Sequence, residues 1–169
     1  MPDKFIFKTE NLLVRKLTID DVEAFHEMQS NPLVMQYATG NVKSFSEHKK
    51  ELKELIEKYD LVDNDFWIYA IEHKLDNHFV GTCALVKDGE EDEIGYRFLQ
   101  KYWGKGFGTE ICIGLIDYCK KNGFKRLIGY VVDVNIASTK ILEKLNFTAI
   151  KKQLAEDLNL PETKYELKL

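Results

Sequence analysis

Three glycines at alternate positions, Gly104, Gly106 and Gly108, constrain this chain more than any other feature. They stand between a strand pattern ending at Leu99 and a helical pattern beginning near Gly106. Glycine lacks the Cβ that keeps a ligand away from the backbone. Such a turn presents successive N–H groups, and the following helix adds its unpaired N-terminal donors and positive dipole end. Together these form a cradle for a phosphate or pyrophosphate. Lys105 adds a cation, and Thr109 adds a hydroxyl in the first helical turn. A tight turn that holds no ligand is the plainer alternative, because glycine-rich turns are common.

Two nucleotide patterns fit poorly. A P-loop requires Gly-x-x-x-x-Gly-Lys-Ser/Thr, which Gly104-Lys105-Gly106-Phe107 does not supply. A dinucleotide fingerprint requires Gly-x-Gly-x-x-Gly, but here the third glycine comes one residue early and Thr109 takes its place. Asp133 at the end of the next strand keeps the dinucleotide alternative open, although the hairpins upstream do not begin a doubly wound parallel sheet.

The rest of the chain is read from its periodicity. Leu12–Leu17 alternates as a strand, and Asp20-Asp21 opens a helix carrying Val22, Phe25 and Met28. Ser44 to Glu47 has capping-box spacing and precedes an amphipathic helix with Leu52, Leu55, Ile56 and Tyr59. Segments 66–71, 79–86 and 93–99 read as a three-stranded meander, turning at Asp76-Asn77 and Asp88-Gly89-Glu90. A helix follows from Gly106 to Asn122 and stops at Asn122-Gly123. Leu127–Val132 is a buried strand, Asn135–Leu145 a second helix closed at Asn146, and 147–153 and 163–169 two last strands around a loop at 155–161. The expectation is one domain over residues 1–169, an α/β chain with a mixed sheet and helices on both faces.

Composition excludes several classes. The formal charge of -4, with both signs interspersed, gives no electrostatic reason to expect nucleic acid as a partner. Cys83, Cys112 and Cys119 match no metal spacing, and the four histidines form no His-x-x-x-His pair, so no metal site is expected. No apolar run reaches membrane-spanning length and no apolar signal core opens the chain; a soluble cytoplasmic protein is expected.

Two motifs in order give this chain a resemblance to the GCN5-related N-acetyltransferase (GNAT) superfamily, and within it to the RimJ/RimL-type ribosomal-protein N-acetyltransferases. Trp103-Gly104-Lys105-Gly106-Phe107-Gly108 occupies the register of the family's Gln/Arg-x-x-Gly-x-Gly/Ala motif, with Trp103 at the leading position. Asn135 through Phe147 is similar to its Asn-x-x-Ser helix, with Asn146 replacing the usual glycine. The resemblance implies a mostly antiparallel sheet of about seven strands, splayed between 93–99 and 127–132. It implies acetyl-CoA as cosubstrate and no metal. The pantetheine arm would meet backbone near Phe98 and Leu99, the pyrophosphate would meet Gly104 to Thr109, and Asn135 and Lys140 would assist. Asn135 also suits its own helix as an N-cap.

Amide formation from a thioester requires a neutral amine and a proton for the departing thiolate. Many superfamily members place a tyrosine seven residues after the asparagine; here that residue is Leu142. The resemblance points to Ser138 instead. Glu93 leads the candidates for base, with Glu156 and Asp157 behind it. The expected acceptor is a protein N-terminus or a small amine, and a homodimer is possible. A non-catalytic acyl-CoA-binding module and a dinucleotide-dependent enzyme stay open as alternatives.

Overall fold

Alternating and β-branched segments build the sheet, and 3.6-residue periodicity builds the helices that cover it. The computed structural model describes residues 4–169. Its eight strands are β1 (Phe7–Lys8), β2 (Leu12–Lys16), β3 (Phe66–His73), β4 (Phe79–Asp88), β5 (Glu91–Phe98), β6 (Arg126–Val132), β7 (Thr148–Ala155) and β8 (Leu160–Lys168). They lie in the order β1-β2-β3-β4-β5-β6-β8-β7. Every neighbouring pair is antiparallel except β5 and β6.

The helices are α1 (Val22–Gln29), α2 (Pro32–Met35), α3 (Phe45–Glu57), α4 (Phe107–Lys121) and α5 (Ile136–Lys144). The expected capping box opens α3: Glu47 N donates to Ser44 Oγ, and Ser44 N donates to the Glu47 carboxylate. Asn135 caps α5, its side chain accepting from Ser138 N. Asn146 closes that helix at φ 65, a left-handed value that asparagine tolerates.

The sequence expectation of about seven strands becomes eight because β1 is only two residues long, too short to show alternation. The loop expected at 155–161 contracts to residues 156–159, since β7 and β8 form a continuous hairpin with Asn159 at φ 50. The short helix α2 was not expected. It starts on an Asn31 cap with Pro32 in its first turn.

Two apolar layers enclose the sheet. On one face α4 and α5 bury Phe107, Ile111, Cys112, Leu115 and Leu142 against Leu12, Ile94, Phe98 and Leu127. Full burial of Ile111, Leu115 or Leu127 contributes roughly 1.5–3 kcal/mol apiece. On the other face α1 and α3 bury Phe25, Met28 and Leu52 against Leu17, Ala70, Phe79 and Leu99. The three cysteines are buried and free. Burial pushes the Cys112 thiol up to about 12, so it behaves as an apolar filler.

The site is positioned by the one parallel contact. β5 and β6 are in register only at Glu93 and Ile128. Beyond that point the strands part, leaving a split that opens toward Phe98 and Val132. Two loops meet at the open end: a Cβ placed on Gly40 would lie 3.1 Å from Leu158 in the β7–β8 turn.

Candidate active site

At the open end of the split, the chain leaves β5, makes one 3-10 turn at Gln100–Tyr102, and enters the glycine turn before α4. Gly104 has φ 71 and Gly106, the residue that caps α4, has φ 81. Both are left-handed values costly to any residue with a Cβ. A Cβ at either position would meet nothing within 4 Å, so the space over the turn is open. Gly108 serves differently. A Cβ there would lie 2.9 Å from Ile141 Cδ1 and 3.5 Å from the Tyr96 ring, so this glycine lets α4 approach α5 and β5. Of the three, only Gly104 and Gly106 front open space.

Around the turn, Lys105 Nζ stands 5.5 Å from the Tyr102 ring centroid. Thr109 is half-buried in the first turn of α4, and Lys140 is exposed on α5. The cap residue Asn135 spends its side-chain oxygen on Ser138 N at 3.3 Å.

The backbone at the mouth is divided. Leu99 N donates to Val80 O of β4 and Leu99 O accepts from Tyr102 N in the next turn, so neither group of Leu99 faces the split. Strand alternation then turns the N–H and C=O of Phe98 toward the split. Its carbonyl accepts from the Trp103 indole at 3.1 Å, which leaves the Phe98 N–H as the unoccupied donor. Phe98 and Leu99, paired in the sequence expectation, thus differ in what they offer.

Alternation along β5 sorts its side chains to the two faces of the sheet. Ile94, Tyr96 and Phe98 point into the α4–α5 layer. There Tyr96 Oη lies 2.9 Å from Ser138 Oγ, and the ring is enclosed by Phe98 at 5.6 Å between centroids. Burial pushes the Tyr96 phenol up to about 12. Leu142, at the position where a tyrosine was sought, is buried in the same layer. The hydroxyl partner of Ser138 therefore comes from a strand and not from the helix, a pairing no linear motif announces.

Glu93 lies on the opposite face, at the closed end of the split. Burial, with Asp88 and Glu162 nearby, pushes its carboxyl up to about 7, against a smaller lowering by Lys164. A carboxyl that titrates near neutrality is well matched to proton abstraction. Glu156 and Asp157 are exposed in the β7–β8 turn. The dinucleotide alternative loses its acidic residue: the Asp133 carboxylate accepts from Thr163 at 2.6 Å and pairs with Lys152 at 2.9 Å. Among the described residues no group of three or more potential metal ligands occurs, and no helix is long and apolar enough to cross a membrane.

Comparison with known proteins agrees with this arrangement. The acetyltransferase (GNAT) domain matches residues 11–148. The uncharacterised N-acetyltransferase p20 of Bacillus licheniformis is 29% identical over 145 residues, covering 82% of this chain and 80% of p20. A GNAT-family acetyltransferase from Bacillus anthracis superposes with a TM-score of 0.83 at 23% identity, over 95% of this chain and 96% of its own. RimL, the ribosomal L7/L12 alpha-N-protein acetyltransferase solved with coenzyme A, superposes with a TM-score of 0.82 at 18% identity, over 98% of both chains. With the family domain spanning most of its length, the split sheet and the glycine turn in place, this chain belongs to the GNAT acetyltransferases and is an acyltransferase.

Proposed function

We propose that this chain transfers an acetyl group from acetyl-CoA to a primary amine, either a protein N-terminus as in RimJ/RimL-type enzymes or a small amine. The observation that carries the reading is the split between β5 and β6, closed by half-buried Glu93 and open at the glycine turn. The coenzyme A complex of the RimL neighbour supports the choice of donor.

The residues present suit that donor. Gly104, Gly106 and the first N–H groups of α4 hold the pyrophosphate, with Lys105 beside them. The Phe98 N–H supports the thioester oxygen as negative charge develops there. Acetyl-CoA supplies the activated acetyl group.

Glu93 accepts a proton from the attacking amine, directly or through one water. As the new C–N bond forms, the C–S bond breaks and the thiolate departs. Ser138 donates a hydrogen bond to that sulfur, and Tyr96 donates to Ser138 in turn. A buried phenol with a pKa of about 12 keeps its proton throughout the working pH range. The pair therefore stabilises the thiolate by hydrogen bonding; the sulfur takes its proton from solvent, and Glu93 returns its own proton there.

Thiol release measured across a panel of peptides and amines tests the proposal. Amine-dependent release of coenzyme A is expected. Tight acetyl-CoA binding without turnover on any amine would instead identify an acyl-CoA-binding module.

A further inference from the structure

Resting on the transferase reading, we infer that the α1-side face of β5 forms an acceptor trough for an amine that also carries a carboxylate, with Arg97 holding the carboxylate. Three residues define the trough. Glu93, Gly95 and Arg97 alternate onto this face, each partly accessible. Ala84 of β4 pairs with Gly95, so the floor between the two charged residues is bare of large side chains. A Cβ on Gly95 would touch only Ala84, at 3.9 Å, and the space above is free. Because β6 has parted from β5, the neighbouring strand does not fill the trough from the side.

Arg97 is the informative residue. Its guanidinium is largely withdrawn from water, and burial lowers its pKa. Among the described residues it makes one side-chain hydrogen bond, to the neutral Gln29 Oε1 of α1, and no ion pair. The acid whose charge bears on it, Glu51, is already engaged by Gln29 Nε2 at 3.1 Å and by Lys43 at 3.0 Å. Arg15 shows the contrast: on the same face of the sheet it is bound by both Asp21 and Glu72. A buried cation without a counter-ion is costly, and a guanidinium has a planar fork of donors suited to a carboxylate. A bound acceptor supplies the missing charge.

The geometry limits the acceptor. Four residue steps along the strand put Glu93 and Arg97 about 13 Å apart at the backbone. An extended acceptor bridging the two therefore carries its nitrogen and its carboxylate on the order of 10 Å or more apart. The phosphates of the acyl donor are not the partner, since the glycine turn lies on the α4 side of the sheet and Arg97 on the α1 side.

Titration calorimetry in the presence of coenzyme A, comparing aminooctanoate with its carboxamide, tests this without requiring turnover. The carboxylate is expected to bind at least about tenfold more tightly, the effect of one charge-assisted pair. Arg97→Met abolishes that preference, Arg97→Lys keeps part of it, and Gly95→Val blocks both ligands. Coenzyme A affinity and thermal stability stay unchanged in Gly95→Val, which rules out misfolding. A peptide pair with amidated C-termini, Ser-Ala-Glu-amide against Ser-Ala-Gln-amide, in which the Glu side chain is the sole carboxylate, separates a peptide acceptor from a free amino acid. Equal affinity for acid and amide in the parent protein overturns the inference, as does a preference that survives Arg97→Met. Carboxylate binding through Arg97 with no acetylation of any amine would instead sink the transferase reading alone.

Discussion

Tyr96 Oη and Ser138 Oγ stand 2.9 Å apart and join strand β5 to the first turn of α5 across the α4-side wall of the split. The contact ties together residues 42 positions apart. A serine hydroxyl is a weak acid by itself. Backed by a buried phenol it becomes the end of a short donor chain, and such chains strengthen each member.

Replacing either hydroxyl tests that chain. Ser138→Ala lowers turnover about a hundredfold, the range for losing one donor aimed at developing charge. Tyr96→Phe costs about tenfold, the upper end for one hydrogen bond between neutral groups. Acetyl-CoA affinity is unchanged in both. The double variant is no slower than Ser138→Ala, because the two act as one unit. Additive losses in steady-state kinetics would show that they act separately.

On the proposed mechanism, Glu93 carries the pH dependence. Its carboxyl is displaced from an ordinary 4.5 to about 7. Proton abstraction needs the ionised form, so kcat/KM rises with pH and levels off above about 7. Glu93→Gln removes that limb and most of the rate. The stability effect has the opposite sense. A raised carboxyl favours folding in its neutral form, so this contribution is full below 4.5 and is lost as pH rises through about 7. Thermal melts of Glu93→Gln at pH 8 run higher than the parent, and the two converge at pH 4.

Gly106 is open above but left-handed, at φ 81. Gly106→Val therefore meets no neighbour, yet it strains the backbone by about 1–2 kcal/mol and covers the N–H groups behind it. Coenzyme A affinity falls at least tenfold while the fold persists. A folded Gly106→Val protein with parental affinity, read by calorimetry, would remove the diphosphate from this turn.

Gly81 makes the closest backbone approach of any glycine in the sheet. A Cβ there would lie 2.1 Å from Arg97 O and 2.9 Å from Phe98 Cα. Neither atom is the free end of a side chain, so β4 and β5 must separate. Gly81→Ala is expected to destabilise by about 3 kcal/mol, at the upper end for an overpacked core, and to weaken acetyl-CoA binding by shifting Phe98. Chemical denaturation measures the first effect and calorimetry the second.

Local chemistry was legible in the amino-acid order. The capping box before α3, the asparagine closures and the glycine turn are short-range devices, and each recurs where its residues stand. Periodicity likewise marked the β3–β5 meander and helix α4, because alternation and the 3.6-residue repeat are properties of adjacent residues. Two-residue β1 escaped that kind of reading. So did the different duties of the glycines: Gly108 looks like its neighbours in the chain but serves helix packing.

What tertiary structure decided is which distant groups meet. The parting of β5 from β6 turned alternation along one strand into two sides of a site, with Tyr96 toward Ser138 and Glu93 and Arg97 toward the open face. Burial then set the chemistry, lifting the Glu93 carboxyl to about 7 and leaving Arg97 with only a neutral partner. Desolvation depends on everything packed around a group, and no stretch of neighbouring residues encodes it.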